Sequence, residues 1–300
     1  MNTKIAEREL QRIFQNVPSA FGNSWFETLL DHSRRLSEPL AARMLSQMGL
    51  GKATSKPFKL FDNACGSGPV PSELHRLIPP AVLAHSSILC GDFSEQMVQM
   101  VQKRAESEAW TNVEAKVIDA QNNGLATASF THVATNIGFH CVPDSKAALD
   151  EAIRILEPGG ILGFTTWNRE PSWAADLDGA FKTFPFEVPP RESTLQTTGW
   201  GDWGDVNWVR EALVERGLED VRVEVFAQLS RVDSVEHFIS SFTMSLNWIM
   251  NSVWSEQLRN EHGQEEVHGL IRKYLERKYQ GRPWELTWVS IVATGRVAGQ

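Results

Sequence analysis

Cysteine is scarce in this chain: Cys65, Cys90 and Cys141 are the three present in 300 residues. An odd, widely spaced set gives neither a disulfide framework nor the paired spacing of a zinc site. No cluster of His, Cys, Asp and Glu at ligand spacing stands elsewhere, so no metal is expected. A long apolar run is missing as well, which argues against a membrane span. The polar start MNTKIAERELQR lacks the apolar stretch of a secretory signal. Basic residues are not in excess: 29 Lys and Arg stand against 37 Asp and Glu, a net charge of −8. That balance argues against a nucleic-acid groove, which needs a clustered basic face. A cytoplasmic protein is expected, with no nucleic-acid or membrane partner, as a monomer or a homodimer.

What remains is ordinary globular material, 42% hydrophobic and 22% charged, enough for a substantial core. The chemistry starts at Lys59–Val70. Leu60 and Phe61 end a short buried strand, Asp62 is an acid at its carboxyl end, and Gly66 and Gly68 supply a turn where a ligand can approach bare backbone. In open α/β sheets, ligands sit outside the carboxyl ends of the strands. A dinucleotide loop wants a third glycine three residues after the second, and this chain has Pro71 there.

Further strands follow in alternation with helices. Ser87–Asp92 ends in an acid 24 positions beyond Gly68, where a carboxylate can accept both ribose hydroxyls of an adenosine ligand. Ser94 is placed to cap the next helix. Val113–Ala120 carries Asp119 at its end, Phe130–Asn136 ends in a polar residue, and Ile161–Trp167 follows a break at Glu157–Gly160. Strand–helix alternation over this length implies a parallel sheet covered on both faces.

The form D-x-x-C-G-x-G, followed in order by GDFSEQM, VIDAQ, ATNIGFHCVPD and RILEPGGILGFTTW, resembles the successive motifs of class I S-adenosylmethionine-dependent methyltransferases. The ubiquinone and menaquinone C-methyltransferase group shares this layout. The nearest resemblance is to fungal small-molecule methyltransferases of secondary metabolism, a group that includes the gliotoxin bis-thiomethyltransferase. It is strongest over residues 58–167. It implies a Rossmann-like α/β sheet, mostly parallel with an antiparallel last strand, and S-adenosyl-L-methionine as cofactor. The implied cofactor residues are Asp62, Ala64, Gly66, Gly68, Asp92, Phe93, Met97, Asp119, Ala120 and Asn136. Gly66 and Gly68 would cradle the methionine portion, Asp92 the ribose, Asp119 and Ala120 the adenine, and Asn136 would lie near the sulfonium. Ala64 stands where that family has glycine, a departure that matters only if the backbone there needs a positive φ.

Three parts are expected: an N-terminal helical lid (1–57), the core (58–233 and 285–300), and a helical cap (234–284). Phe21 and Trp25 in the lid, Trp167 and Arg169 after the fifth strand, and Trp248 and Trp254 in the cap are candidate contacts for a small-molecule acceptor. An apolar stripe at helical spacing is usually core, so plain packing is the competing reading of these aromatics. His140, after the fourth strand, is the candidate catalytic base, with simple packing as its alternative. Cys65 lacks an evident base and is rejected as a nucleophile. The expected reaction is methyl transfer to O, S or N of a small, largely apolar metabolite. A macromolecule methyltransferase and a cofactor-binding protein without methyl transfer, such as a cyclase or regulatory subunit, are the alternatives, with an NAD dehydrogenase disfavoured by Pro71.

Overall fold

The computed structural model describes residues 25–169, 174–189 and 201–299, apart from the side chains of Met244, Trp248 and Ser252. Its centre is a seven-stranded sheet: β1 (Lys59–Asn63), β2 (Ser87–Asp92), β3 (Val113–Val117), β4 (Phe130–Asn136), β5 (Leu156–Trp167), β6 (Glu219–Val232) and β7 (Trp284–Arg296). The spatial order is β3-β2-β1-β4-β5-β7-β6. The first five strands run parallel, and β7 is antiparallel to both β5 and β6. The order reverses beside β1, so the crevice between the carboxyl ends of β1 and β4 is the topological switch point where α/β sheets bind ligands.

Helices cover both faces. The described chain opens with α1 (Trp25–His32), passes through a π-helical turn at Ser33–Ser37, and continues as α2 (Glu38–Gln47). Between β1 and β2 lie α3 (Pro69–Leu77) and the short α4 (Pro80–Leu83). Next come α5 (Glu95–Ser107), α6 (Ser145–Arg154), α7 (Ala175–Phe181) and α8 (Val206–Val214). Ser94 caps α5 and Asp144 caps α6, each accepting a backbone N–H of the first turn. Leu40, Met44 and Leu45 of α2 pack with Leu60, Val70 and Leu74 on one side of the sheet. On the other side Phe61, Val133 and Leu162 meet Leu149, Phe164 and Trp203.

Three strands differ from their sequence patterns: β3 stops at Val117, short of Asp119 and Ala120. β6 is far longer than the Val221–Val225 segment that alternation marks. As an edge strand it points Val225 and Leu229 to solvent and Gln228 and Ser230 inward, so hydrophobicity no longer tracks its faces. β5 begins at Leu156, and Glu157–Gly160 bulges out of register between the Phe130 and His132 pairings.

Between β6 and β7 stand α9 (Val235–Val253), α10 (Glu256–Glu261) and α11 (Gln264–Tyr279). Phe238, Phe242, Leu246, Ile271 and Leu275 form a core of their own with Leu177, Trp284 and Trp288. Within it the buried Asp176 carboxylate accepts hydrogen bonds from Lys278 Nζ (2.7 Å), Tyr279 Oη (2.9 Å) and Trp284 Nε1 (3.1 Å). Three donors satisfy a charge that burial would otherwise make costly. Asp176→Ala is expected to destabilise the protein by about 2–4 kcal/mol, less than a fully dry pair because Lys278 is partly exposed. Thermal unfolding measures it, and an unchanged midpoint would show that the network contributes no net stability.

Candidate functional site

The turn between β1 and α3 runs through three left-handed residues: Ala64 at φ 56°, Gly66 at 52° and Gly68 at 80°. Only Gly66 is open in front, since a Cβ there would meet nothing within 4 Å. Gly68 is closed, facing Val101 and Trp110 at 3.2–3.3 Å. The two glycines therefore do different things. Gly66 bares its backbone, while Gly68 lets the loop pack against α5. The Ala64 conformation also answers the question its sequence raised, because an L-residue is strained there. Its methyl packs toward Gly138, whose own Cβ would lie 2.5 Å from Thr135 Cγ2. Gly138 is needed for space, as its φ of −103° is ordinary.

Asp92 ends β2 and bends its carboxylate back over this turn. Oδ2 accepts the Gly66 N–H at 2.9 Å and Oδ1 accepts the Ser94 N–H at 2.9 Å. Burial raises its pKa to about 6, against the opposing pull of those two N–H groups. Asp62, at the end of β1, is wholly buried, and neither of its oxygens has a hydrogen-bond partner. Burial, and then the charge of Asp92, hold its pKa well above the usual carboxylate range. Two buried carboxyl groups beside an open glycine turn favour a positively charged neighbour over a negative one. Cys65, in hydrogen-bond contact with Cys90 and buried, has its thiol pushed well above the ordinary range, which disfavours the thiolate.

The remaining predicted cofactor residues fall around the same edge. Phe93 is exposed, Met97 and Ala120 are buried, and Asp119 accepts the Gln121 N–H at 2.9 Å in the turn after β3. Asn136 ends β4 with both ends of its amide engaged: Nδ2 donates to Ser37 O (3.0 Å) and Oδ1 accepts from Thr165 Oγ1 (2.7 Å). It ties the π-helical turn to the sheet. Next to it Ile137 sits at φ 59°, a strained position for a β-branched residue, held by Thr165 Oγ1 accepting its N–H at 2.9 Å.

The acceptor candidates separate. Phe21 lies outside the described residues, as does the side chain of Trp248. Trp25 is half-buried and edge-on to Phe26. Arg169 forms an ion pair with Asp202. Trp254 is buried against Phe181 and Phe186, within the apolar interior of α9–α11. Trp167, at the end of β5, tilts against Trp288 of β7 at 5.3 Å. Trp288 stacks on Phe242 at 5.5 Å and meets the edge of His32 at 6.3 Å. Burial lowers the pKa of both His140 and His32 to about 4, so both are neutral at pH 7. Nothing in the local sequence singles out His32. Only the seating of α1 beside Trp288 brings it forward. Among the described residues no group of three His, Cys, Asp or Glu is arranged to hold a metal ion.

A parallel sheet with one antiparallel strand beside its edge, an open glycine turn after β1 and an acid closing β2 define the class I methyltransferase fold. Residues 38–202 match the ubiE/COQ5 methyltransferase family, and the chain belongs to it. Methyltransferase tpcH of Aspergillus fumigatus is 30% identical over 286 residues, spanning 93% of this chain and 99% of its own. The acetylaranotin bis-thiomethyltransferase of Aspergillus terreus is 26% identical over 277 residues, 92% of each chain. Among solved structures, the YcgJ protein of Bacillus subtilis superposes with a TM-score of 0.52 at 12% identity, over 87% of this chain and 99% of its own. Phosphoethanolamine N-methyltransferase 2 of Haemonchus contortus, solved with phosphomonomethylethanolamine and S-adenosylhomocysteine, gives 0.50 at 16% identity, over 87% of this chain and 52% of its own. These structural likenesses establish the fold, and the resemblance read from the motifs holds.

Because Ala64 occupies a conformation that glycine adopts freely, Ala64→Gly is expected to stabilise the protein by about 1 kcal/mol. Denaturant unfolding tests this. A loss of stability would mean that the Ala64 methyl contributes more by packing than its backbone costs.

Proposed function

We propose that this chain transfers the methyl group of S-adenosyl-L-methionine to an O, S or N atom of a small, largely apolar metabolite. The observation that carries the reading is the pair of buried carboxylates, Asp62 and Asp92, around the open backbone of Gly66. A ligand bearing a sulfonium and an ammonium favours the ionised form of both groups, which burial disfavours in the free protein. A pyrophosphate would meet them with its own negative charge, which disfavours a dinucleotide here.

Bound there, S-adenosylmethionine supplies an already activated methyl group, so the protein's task is alignment and exclusion of water. Asp92 spends two of its roughly four acceptor positions on backbone N–H groups and keeps the others for ribose hydroxyls. Asp62 faces the cationic end of the ligand, Gly66 and Gly68 shape the seat of its methionine portion, and Met97, Phe93, Asp119 and Ala120 surround its adenosine. Asn136 acts through the strand and turn it joins. On the acceptor side the half-buried Trp167, backed by the buried Trp288 and Phe242, offers flat apolar surface that suits an aromatic or heterocyclic metabolite. His140 is the proposed base or orienting group. A hydroxyl acceptor gains from a neutral imidazole that takes its proton, whereas a thiol ionises with little help. The name of the Aspergillus terreus relative favours sulfur. The division into lid (1–57), core (58–233 and 285–300) and cap (234–284) is proposed with the same reading.

The direct experiment is incubation with methyl-labelled S-adenosylmethionine and a panel of hydroxyl, thiol and amine metabolites. Label should appear in small-molecule product. Failure of the folded protein to bind S-adenosylhomocysteine in calorimetry would sink the proposal. The pH dependence is expected to separate the two ends of the site. The pKa of Asp92 is raised to about 6, so kcat/KM for S-adenosylmethionine should fall as pH drops through about 6 and the ribose acceptor becomes protonated. The pKa of His140 is lowered to about 4, so kcat, which reports the bound complex, should hold until pH is well below 6. A common acid limb near 6.5 for both constants would point instead to an ordinary, solvent-exposed histidine.

A further inference from the structure

Arg104 is the largest of the fully buried side chains, 1% exposed, although it sits in the polar sequence VQKRAES of α5. Its guanidinium reaches the outer wall of the glycine turn. Nη1 donates to Ser67 O at 2.8 Å and, more weakly, to Gly68 O at 3.4 Å. Nη2 donates to Glu38 Oε1 at 2.9 Å and to Ser72 Oγ at 3.1 Å, and Nε to Glu108 Oε1 at 2.9 Å. The Trp110 ring, which also walls Gly68, lies 4.9 Å from the guanidinium carbon. Every donor direction of the fork is thus used, and the two carboxylates compensate the charge. Glu38 is the first residue of α2 and directly follows Ser37, whose carbonyl accepts from Asn136. One cation therefore joins the carbonyls of the cofactor turn to the helix that rests on the end of β4.

We propose that Arg104, through Glu38, is a positioning residue that fixes the Ser67–Gly68 carbonyls so that the Gly66 backbone faces the ligand, coupling cofactor affinity to the seating of the N-terminal helix. The inference rests on the cofactor reading above. Asp92 holds the turn from the ligand side by the Gly66 N–H, and Arg104 holds it from the back by its C=O groups. Without the guanidinium the Ser67 carbonyl loses its buried partner and Gly68 O keeps only the Ser72 N–H at 3.2 Å, so the left-handed path through Gly66 and Gly68 is no longer the one the surroundings select.

The test uses Arg104→Met, Arg104→Lys and Glu38→Gln in the full chain, with Asp176→Asn as a control for buried polar damage far from the turn. S-adenosylhomocysteine is the calorimetric probe. Arg104→Met is expected to weaken its binding about tenfold or more, with acceptor KM little changed. Lys should restore part of the loss, because a point charge cannot span both sides of the fork. Glu38→Gln should weaken binding less, and combining it with Arg104→Met should add nothing, the signature of one coupled unit. Asp176→Asn should lower the melting temperature without moving the Kd. Amide exchange at Gly66 and Gly68 should quicken in Arg104→Met with no ligand present. Wild-type affinity in folded Arg104→Met overturns the proposal. If that variant does not fold, wild-type affinity in both Arg104→Lys and Glu38→Gln overturns it. Because the exchange measurement needs no ligand, unchanged exchange in the variants overturns the clamp itself, whereas wild-type protein that binds no S-adenosylhomocysteine defeats the cofactor reading alone.

Discussion

The contact on which the rest of the site depends is the Asp92 carboxylate accepting the Gly66 and Ser94 N–H groups at 2.9 Å each. It joins the end of β2 to the turn after β1 and opens α5 at the same point. That helix then carries Arg104 back to the far side of the turn. The left-handed path through Ala64, Gly66 and Gly68 is therefore enforced from two directions by one strand–helix unit. Such over-determination lets a strained backbone persist. It also lets two carboxylates stay buried close together, with pKa values raised and ready to fall when a cation arrives.

The parallel half of the fold was legible because each strand ends in punctuation that local chemistry demands: Asp62 before the glycines, Asp92 before the Ser94 cap, Asn136 before Gly138. β6 was not, because its length comes from pairing with β7 rather than from its own alternation. Ala64 was flagged correctly as a place where a positive φ would matter. The need for glycine at position 138 is one of space, which only the neighbouring Thr135 reveals.

The parts of the site that escaped the sequence depend on long-range contacts. An arginine four residues before a glutamate on a helix reads as a solvated i,i+4 pair, and nothing local says that Arg104 is buried against residues 67 and 38. The π-helical turn at Ser33–Ser37 leaves no mark in composition. Its role is visible only once Gln228 Nε2 and Asn136 Nδ2 are found donating to the Leu36 and Ser37 carbonyls. That seating brings His32 to Trp288. Asn136, implied by resemblance to lie near the sulfonium, is held by partners on both ends of its amide, Ser37 O and Thr165 Oγ1.

Proton release on cofactor binding tests the electrostatic account most directly. S-adenosylhomocysteine keeps the ammonium and the ribose hydroxyls, and it can be titrated at pH 6 in two buffers of different ionisation enthalpy. With Asp92 about half protonated in the free protein at that pH, and ionised once it accepts ribose hydroxyls, binding should release about half a proton or more per site. Binding with no proton released, or with uptake, would contradict the claim that buried carboxylates at the ends of β1 and β2 form the cofactor seat.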